Sequence, residues 1–510
     1  MKSRVIDLQE AHDKTPAMNQ WTKHFLVYSS GVIFMNAVPF FLIPVYTRAV
    51  SPTEFGILEL LNRSQDLFLL LITLGIGSAL ATLYQSQETR ERKNLLYSTA
   101  LGFLGSFALV AIGILITESE RISQLLFATR DYSVILAIVL CSTFFEIVFQ
   151  IAVLYLQSEV RSVFYVSIFV CRASLALVLN IVFAFVFHAG LKGIVYAGLI
   201  HSLLACSVAL SYTLGQIGVG FDKELMKTIF RFGVPLVPGS LAMFVLNNGD
   251  RYFLNIYSTK TEVAVYSVGY KLAAATTTLI LVPFLKLWSV KMVTISQQQD
   301  GPKTIGKIAT YLTATCLAAT LVVSLFGTII IRVASTQNYA RAAGIIPIVG
   351  VSYVLFAWTV IMDSSFYITH KTSFKPIPLL VSCAVVLPAY AFLIPRYQMW
   401  GAAWATLLGF STFAMVTHFV AQKLYRVPYE YSRLAKMSGV GTATYLLADA
   451  LFSPCWQLNL VLRCILVLGF LMFLWSGYFS SVDERKILID EYRNLKVLLS
   501  GIATRTPDPL

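Results

Sequence analysis

Apolar stretches long enough to cross a bilayer recur along almost the whole chain, and they limit what it can fold into more than any other feature. A transmembrane helix needs about 20 consecutive, mostly apolar residues. Such runs follow one another from residue 25 to residue 478, and only 13% of the 510 residues are charged, against roughly 25% in soluble domains. The sequence therefore predicts an all-α integral membrane protein.

About fourteen transmembrane helices are predicted. Their ranges are 25–47, 59–83, 94–117, 132–156, 163–187, 193–213, 232–257, 264–288, 306–331, 342–368, 376–395, 399–421, 434–452 and 459–478. An even number places both ends on one side of the membrane. With the N-terminus inside, cytoplasmic loops, tails and the adjoining span ends hold 26 Lys and Arg, and external loops hold 8. The positive-inside rule therefore predicts that both termini are cytoplasmic.

Weak internal repetition suggests that the chain is built from related halves. The segment SPTEFGIL at 51–58 is similar to TKTEVAVY at 259–266, and LKGIVYAGLI at 191–200 is similar to MWGAAWATLL at 399–408. Both pairs are separated by 208 positions, and a third match needs one gap. Many transporters are built from such repeats, and a repeat of six spans gives two parallel halves. We therefore expect two six-helix lobes around a central cavity, plus two extra helices.

This repeat divides the chain into predicted domains. They are a cytoplasmic N-terminal tail (1–24), an N-lobe with spans one to six (25–213), a cytoplasmic linker (214–231), a C-lobe with spans seven to twelve (232–421), two extra spans (434–478) and a cytoplasmic C-terminal tail (479–510).

Composition and motifs argue against several classes of function. The net charge is +13, but the basic residues lie in short loops rather than in a basic arm, so membrane lipids are expected partners and nucleic acid is not. The seven cysteines form no CxxC pair and have no His at ligand spacing, so no metal site is predicted. Walker A, HExxH and GxSxG motifs are missing. We therefore expect no enzyme, catalytic residue or cofactor, and transport that is facilitated or coupled to a proton or sodium gradient.

Charged residues within spans are costly, about 2.5–3.5 kcal/mol each on insertion scales, so they are candidates for function. Arg63 in span two recurs as Lys271 in span eight, 208 positions later. Glu59 and Asp66 share a helical face with Arg63 and are expected to hold its guanidinium in place. The two cations either face a shared cavity between the lobes or extend to the outer head groups.

Two further groups of charges leave alternatives open. Asp250 and Arg251 are neighbours in the polar stretch LNNGDRYFLNIY, where helix geometry argues against a simple local ion pair. This stretch either lines a pathway or locks spans together. Glu146 in span four and Arg172 in span five either form a structural pair, or Glu146 takes part in coupling to a proton or another cation.

The segments FFLIPVYTRAVSPTEFGILELLNR and NNGDRYFLNIYSTKTEVAVYSVGYKLA, with the two glycine-led repeats that start at Gly193 and Gly401, resemble the polysaccharide-biosynthesis flippases of the Wzx type. This group belongs to the multidrug/oligosaccharidyl-lipid/polysaccharide exporter superfamily, which also contains lipid II flippases and multidrug exporters of the MATE type. The resemblance spans roughly residues 21 to 480.

The resemblance implies translocation of an undecaprenyl-pyrophosphate-linked oligosaccharide across the bacterial cytoplasmic (inner) membrane, for O-antigen, capsule or exopolysaccharide. It also implies a cationic central cavity, which suits a pyrophosphate head, and Arg63, Lys271 and Arg251 are the positions that match. A polysaccharide polymerase and a chain-length regulator are the partners it suggests. Two alternatives remain: a MATE-like secondary exporter of amphipathic cations, and a non-transporting membrane scaffold of a glycan-assembly complex.

Overall fold

The computed structural model describes residues 38–159, 162–451 and 456–478. The predicted tails at 1–24 and 479–510, and the first part of span one, lie outside the described residues. The helices are α1 (Val38–Ala49), α2 (Pro52–Thr73), α3 (Ile76–Gln85), α4 (Arg90–Thr117), α5 (Ser119–Phe127), α6 (Ser133–Ser158), α7 (Ser162–Ile181) with a π-helical extension (Val182–Val186), α8 (Gly190–Ile217), α9 (Lys223–Gly233), α10 (Val237–Tyr257), α11 (Lys260–Ser296), α12 (Gly301–Ala334), α13 (Ile346–Met362), α14 (Ser364–Ile368), α15 (Pro376–Leu424), α16 (Tyr431–Ala450) and α17 (Trp456–Tyr478).

The described residues contain ten helices that are long and apolar enough to cross a membrane, or eleven when the bent pair α2 and α3 counts as one span. No β-strand occurs in residues 38–159, 162–451 and 456–478. The predicted all-α membrane fold is thus confirmed. Each predicted span overlaps a helix of the structure, but spans 25–47 and 434–452 overlap helices that are not among these ten or eleven (α1 and α16), and the number fourteen stays a prediction.

Helix α15 is a hairpin of two antiparallel helices, 376–397 and 399–424. In a straight helix, Tyr390 and Thr406 would lie about 24 Å apart along the axis, yet their hydroxyl oxygens are 3.4 Å apart. The chain reverses at Gln398, whose φ is 51°. A Cβ on Gly401 would lie 2.2 Å from the Leu393 carbonyl oxygen, so the returning helix passes close to the first one only because residue 401 is glycine.

The repeat found in the sequence recurs in the helix boundaries. Helix α2 begins at Pro52 and α11 begins at Lys260, and each N-terminus is capped by a Ser or Thr hydroxyl that accepts from the backbone N–H of a glutamate. Such caps satisfy N–H groups that have no partner within the helix. The segments SPTE and TKTE are therefore helix starts. The hydroxyl oxygens of Thr53 and Thr261, which are 208 positions apart, lie 3.2 Å from each other.

Contacts near Thr53 and Thr261 join the two halves where α2 and α11 begin. Arg48 Nη2 donates to the Val333 carbonyl oxygen at 2.8 Å. A Cβ on Gly56 would lie 1.9 Å from the Lys260 carbonyl oxygen, so the backbones of α2 and α11 are almost in contact. We call this set of contacts between Arg48, Thr53, Gly56 and their partners the closed end.

Span two is predicted as one helix over 59–83, whereas the structure has two helices bent by 47° between α2 and α3. Leu74 and Gly75 both have positive φ, at 50° and 70°. A Cβ on Gly75 would lie 2.4 Å from the Gly233 carbonyl oxygen at the end of α9. The close approach of the end of α9 to this glycine explains why the helix breaks there.

Candidate functional site

A cavity of about 880 Å³ lies between the two halves, beyond the closed end. Helices α1, α2, α6, α7 and α8 line it from the first half, and α10, α11 and α13 line it from the second half. Seven of the eight charged residues predicted to be functional lie on its wall: Glu59, Arg63, Asp66, Glu146, Arg172, Arg251 and Lys271. The eighth, Asp250, is fully buried behind the wall.

Arg63 reaches the cavity from α2 with two partners. Its Nη1 lies 2.8 Å from Asp66 Oδ2 and donates to Asn248 Oδ1 on α10 at 3.2 Å. The Arg63 side chain is 26% exposed and that of Asp66 is 51% exposed. Asp66 therefore contacts Arg63 as predicted. The carboxylate of Asp66 is also the most exposed one of the site.

Glu59 binds a different cation from the one predicted. Its carboxylate forms an ion pair with the ammonium of Lys271 on α11 instead of with Arg63. The Glu59 side chain is 1% exposed, whereas that of Lys271 is 21% exposed. Arg63 and Lys271, the two cations related by the repeat, are thus connected. Glu59 lies one helical turn from Arg63 in sequence and neutralises Lys271 in the other half.

Arg251 and Asp250 form the local ion pair that helix geometry was expected to disfavour. Arg251 Nη1 lies 2.8 Å from Asp250 Oδ1 and also donates to the Asn247 carbonyl oxygen at 2.8 Å. The guanidinium carbon lies 3.8 Å from the centroid of the Tyr270 ring. The expectation was wrong because the long Arg251 side chain folds back along α10 under the aromatic ring. Tyr266 donates to the other oxygen of Asp250 at 2.6 Å.

Glu146 and Arg172 form the ion pair that the sequence offered as one of two interpretations. Arg172 donates through Nη1 and Nη2 to the two carboxylate oxygens of Glu146, at 3.2 and 2.5 Å. The Glu146 and Arg172 side chains are 16% and 19% exposed. This two-pronged contact joins α6 to α7 and leaves Arg172 little positive charge for a ligand.

Glu146→Gln is expected to lower the free energy of unfolding by about 1.5–3 kcal/mol, the contribution of a hydrogen bond to a charged group, because Arg172 would lose its charged partner. The charge-swapped variant Glu146→Arg/Arg172→Glu should recover most of this loss. Thermal unfolding in detergent measures both. A swapped variant that unfolds as early as the single variant contradicts a pairing role. Recovered stability without recovered transport assigns Glu146 a further role in coupling.

The wall carries its cations together with matching acids. Arg63, Arg172, Arg251 and Lys271 each contact one carboxylate, from Asp66, Glu146, Asp250 and Glu59 respectively. Positive charge at low dielectric is costly unless it is paired. The cavity is therefore less cationic than the resemblance implied. Three of the four acids are buried or half-buried, and only Asp66 is exposed to more than half.

Uncharged polar residues of the wall were not among the predicted site residues. They are Asn62, Gln65, Ser142, Gln150, Asn180, His201, Ser202, Ser240, Asn247, Asn248 and Thr278, with the tyrosines Tyr46, Tyr270 and Tyr353. Two signals in the sequence were available. Asn62 and Gln65 share the polar face of Glu59, Arg63 and Asp66, and Asn247 and Asn248 lie in the polar stretch that was expected either to line a pathway or to lock spans together. The others come from separate spans, and only the packing of the helices brings them together. Within the described residues, no three side chains of His, Cys, Asp or Glu form a metal-binding group.

Comparison with protein families gives a match that begins near the N-terminus. Residues 21–286 match the family described as polysaccharide biosynthesis protein, which is just over half of the chain. A search of curated protein sequences gave no match.

Solved structures of transporters share this fold. The lipid II flippase MurJ in its inward closed conformation aligns with a TM-score of 0.74 at 12% identity, over 89% of this chain and all of that chain. An inward-facing MATE multidrug transporter aligns with a TM-score of 0.60 at 15% identity, over 81% of this chain and 99% of that chain. A MATE transporter of Vibrio cholerae aligns with a TM-score of 0.58 at 14% identity, over 79% and 97%.

Proposed function

Because this chain belongs to the polysaccharide biosynthesis protein family, we propose that it moves a lipid-linked glycan across the membrane. The proposed substrate is an oligosaccharide on undecaprenyl pyrophosphate, and the proposed location is the bacterial cytoplasmic membrane with both termini inside. The chain is a multi-pass membrane protein with a transporter fold. A polysaccharide polymerase and a chain-length regulator are proposed partners.

The observation that carries this proposal is that two cations on repeat-related helices face one cavity, and that the acid which neutralises one of them, Lys271, is buried. Lys271 extends into the cavity, and its partner Glu59 is buried behind it. Arg63 faces the same cavity from the repeat-related helix α2. A phosphate group can therefore approach both cations from the cavity without first meeting the Glu59 carboxylate.

Asp66 is the acid that a pyrophosphate would replace. It is the most exposed carboxylate of the site, and it contacts Arg63 at the distance that a phosphate oxygen would adopt. Replacing one anion by another keeps Arg63 paired throughout the exchange. Arg251 is 4% exposed and is held by Asp250, so we propose that it supports the positive potential of the site without releasing its own partner.

This proposal is tested by transport in proteoliposomes that contain the purified protein and a tritiated undecaprenyl-pyrophosphate-linked glycan. The fraction of glycan oxidised by impermeant periodate outside reports translocation. Arg63→Gln is expected to slow translocation about tenfold, since a hydrogen bond to a charged group contributes about 1.5–3 kcal/mol.

Arg121→Gln is the matched control for Arg63→Gln. Arg121 contacts Glu118 three positions away at 2.8 Å, like Arg63 and Asp66, but it is 83% exposed and lies outside the cavity. Its replacement should leave the rate unchanged. Equal rates for Arg63→Gln, Arg121→Gln and the unaltered protein would show that the phosphate site is misplaced, and no translocation by the unaltered protein would overturn the proposed function.

Export of amphipathic cations is the second candidate function. The exposed carboxylate of Asp66 and the structural similarity to MATE transporters favour it. In the same proteoliposomes, an exporter would move ethidium, and Asp66→Asn would abolish that movement. A glycan flippase would leave ethidium where it was added.

A further inference from the structure

The wall of the cavity formed by α6, α7 and α8 carries a group of uncharged polar side chains. We call it the N-lobe polar wall and define it as Ser142, Gln150, Asn180, His201 and Ser202. These residues lie apart from Lys271 and Arg251, which reach the cavity from α10 and α11 in the other half. Neither the phosphate site nor the ion pairs described above explain their presence.

The second half of the chain shows that the fold does not need polar residues at these places. With the repeat offset of 207 or 208, the counterparts of the N-lobe polar wall are Val349 or Gly350, Ala357 or Trp358, Leu387 or Pro388, Gly409 and Phe410. None of these counterparts lines the cavity. The repeated fold therefore does not itself require polar residues at these positions, and their polarity in the first half goes with facing the cavity.

Several polar atoms of this wall are available to a ligand. Asn180 is 2% exposed, and its Oδ1 has no hydrogen-bond partner within the described residues, while its Nδ2 donates to the Ala176 carbonyl oxygen at 2.7 Å. His201 Nδ1 also lacks a partner there. A buried polar atom without a partner is costly, which makes Asn180 a candidate for contact with bound ligand.

The two serines of the wall present acceptors in the same way. Ser142 Oγ donates to the Ile138 carbonyl oxygen and Ser202 Oγ donates to the Leu199 carbonyl oxygen, both at 3.0 Å. Each hydroxyl donates its proton to a carbonyl oxygen of its own helix, so its lone pairs remain free to accept a hydrogen bond from a ligand. A ligand with several hydroxyl donors fits this set of acceptors.

Charge separates this wall from the phosphate site. Its nearest cation on these helices, Arg172, is held through both terminal nitrogens by Glu146, and both side chains are mostly buried. An anion gains little binding energy from a guanidinium that is already paired with a carboxylate. A neutral polyol can instead accept hydrogen bonds from Arg172 and donate them to Glu146. The ligand that suits the wall is therefore polar and uncharged.

We propose that the N-lobe polar wall binds the carbohydrate part of the lipid-linked substrate, while Arg63 and Lys271 bind its pyrophosphate. This inference rests on the proposed function and adds to it which wall of the cavity recognises the sugar. It also explains the asymmetry between the halves, since a substrate with one charged end and one neutral end needs two different walls.

The test compares two probes on the full-length protein in detergent by native mass spectrometry. One probe is undecaprenyl pyrophosphate without sugar, and the other is undecaprenyl pyrophosphate carrying the glycan that accumulates in cells lacking this protein. The unaltered protein is expected to bind the glycan-bearing lipid about tenfold more tightly, which a few additional hydrogen bonds supply. Gln150→Leu/Asn180→Leu should abolish this difference and leave the affinity for the sugar-free lipid unchanged.

Two further variants keep the test decisive. Gln150 is exposed to the cavity, so Gln150→Leu alone serves if the double variant does not fold. Arg63→Gln is expected to weaken both probes equally and to preserve their ratio.

The carbohydrate site alone would be overturned if the wall variants kept the tenfold difference in affinity between the two lipids. The same holds if they lowered the affinity for both lipids equally. Failure of the unaltered protein to bind either lipid would overturn the proposed function together with it.

Discussion

Glu59→Leu is expected to lower the free energy of unfolding by about 3 kcal/mol and to stop transport. The Glu59 carboxylate is 1% exposed and pairs with Lys271, whose side chain is 21% exposed. Removing one member of a buried ion pair leaves an uncompensated charge and costs about 3–5 kcal/mol. We expect the lower value because the Lys271 ammonium can reach the cavity. Thermal unfolding in detergent and periodate-detected translocation measure the two effects.

Asp66→Leu is the matched control, because Asp66 lies on the same helix and also contacts a cation, but is 51% exposed. An exposed pair contributes about 0–1 kcal/mol, so this variant should unfold close to the unaltered protein. The double variant Glu59→Leu/Lys271→Met replaces the buried pair by apolar side chains and should recover stability without transport. If Glu59→Leu unfolds no earlier than Asp66→Leu, the buried pair does not stabilise the fold.

Those parts of the fold that depend on repeated local patterns could be predicted from the sequence. Apolar runs predicted the helices, and the match between SPTEFGIL and TKTEVAVY predicted a relation between α2 and α11 whose first turns now lie in contact. The break at Leu74 and Gly75 was missed. It depends on the close approach of Gly233, a distant residue that no local pattern reveals.

The candidate site, like the fold, could be predicted from the sequence only in part. Arg63 and Lys271 were found because charge within a span is rare, and both line the cavity. Which acid pairs with which cation was harder to predict, since Glu59 is four positions from Arg63 but pairs with Lys271 across the interface between the halves. Helical spacing describes which residues share a face, but not which neighbouring helix supplies the nearer charge. The N-lobe polar wall was missed for a related reason, because its members are unremarkable singly and are assembled only by packing.

The closed end and the ion pair between Glu59 and Lys271 act on the same two helices. At the closed end, Thr53 and Thr261 are in hydrogen-bond contact, and about two turns further along α2, Glu59 holds Lys271 of α11. A transporter that alternates between openings must separate and rejoin α2 and α11 in each cycle. The very close contact between them at Gly56 should therefore control the cycle.

Gly56→Val is expected to arrest translocation while leaving each half folded. Any Cβ at this position would lie 1.9 Å from the Lys260 carbonyl oxygen, so α2 and α11 would have to move apart. Forcing a larger side chain into a packed contact costs about 1–3 kcal/mol, which shifts the ratio of closed to open molecules by up to about 100-fold. The closed end would then rarely form, and the substrate would not be carried through a full cycle.

A pair of cysteines reports this shift directly. In a background without the seven native cysteines, Thr53→Cys/Thr261→Cys places two thiols where the native hydroxyls are 3.2 Å apart, and oxidation should link them and block translocation until a reductant is added. Adding Gly56→Val should abolish the crosslink. Gly102→Val is the matched control, because a Cβ there meets no atom within 4 Å, and it should change neither crosslinking nor transport. Efficient crosslinking and normal transport in Gly56→Val would mean that the close approach of α2 and α11 does not control the transport cycle.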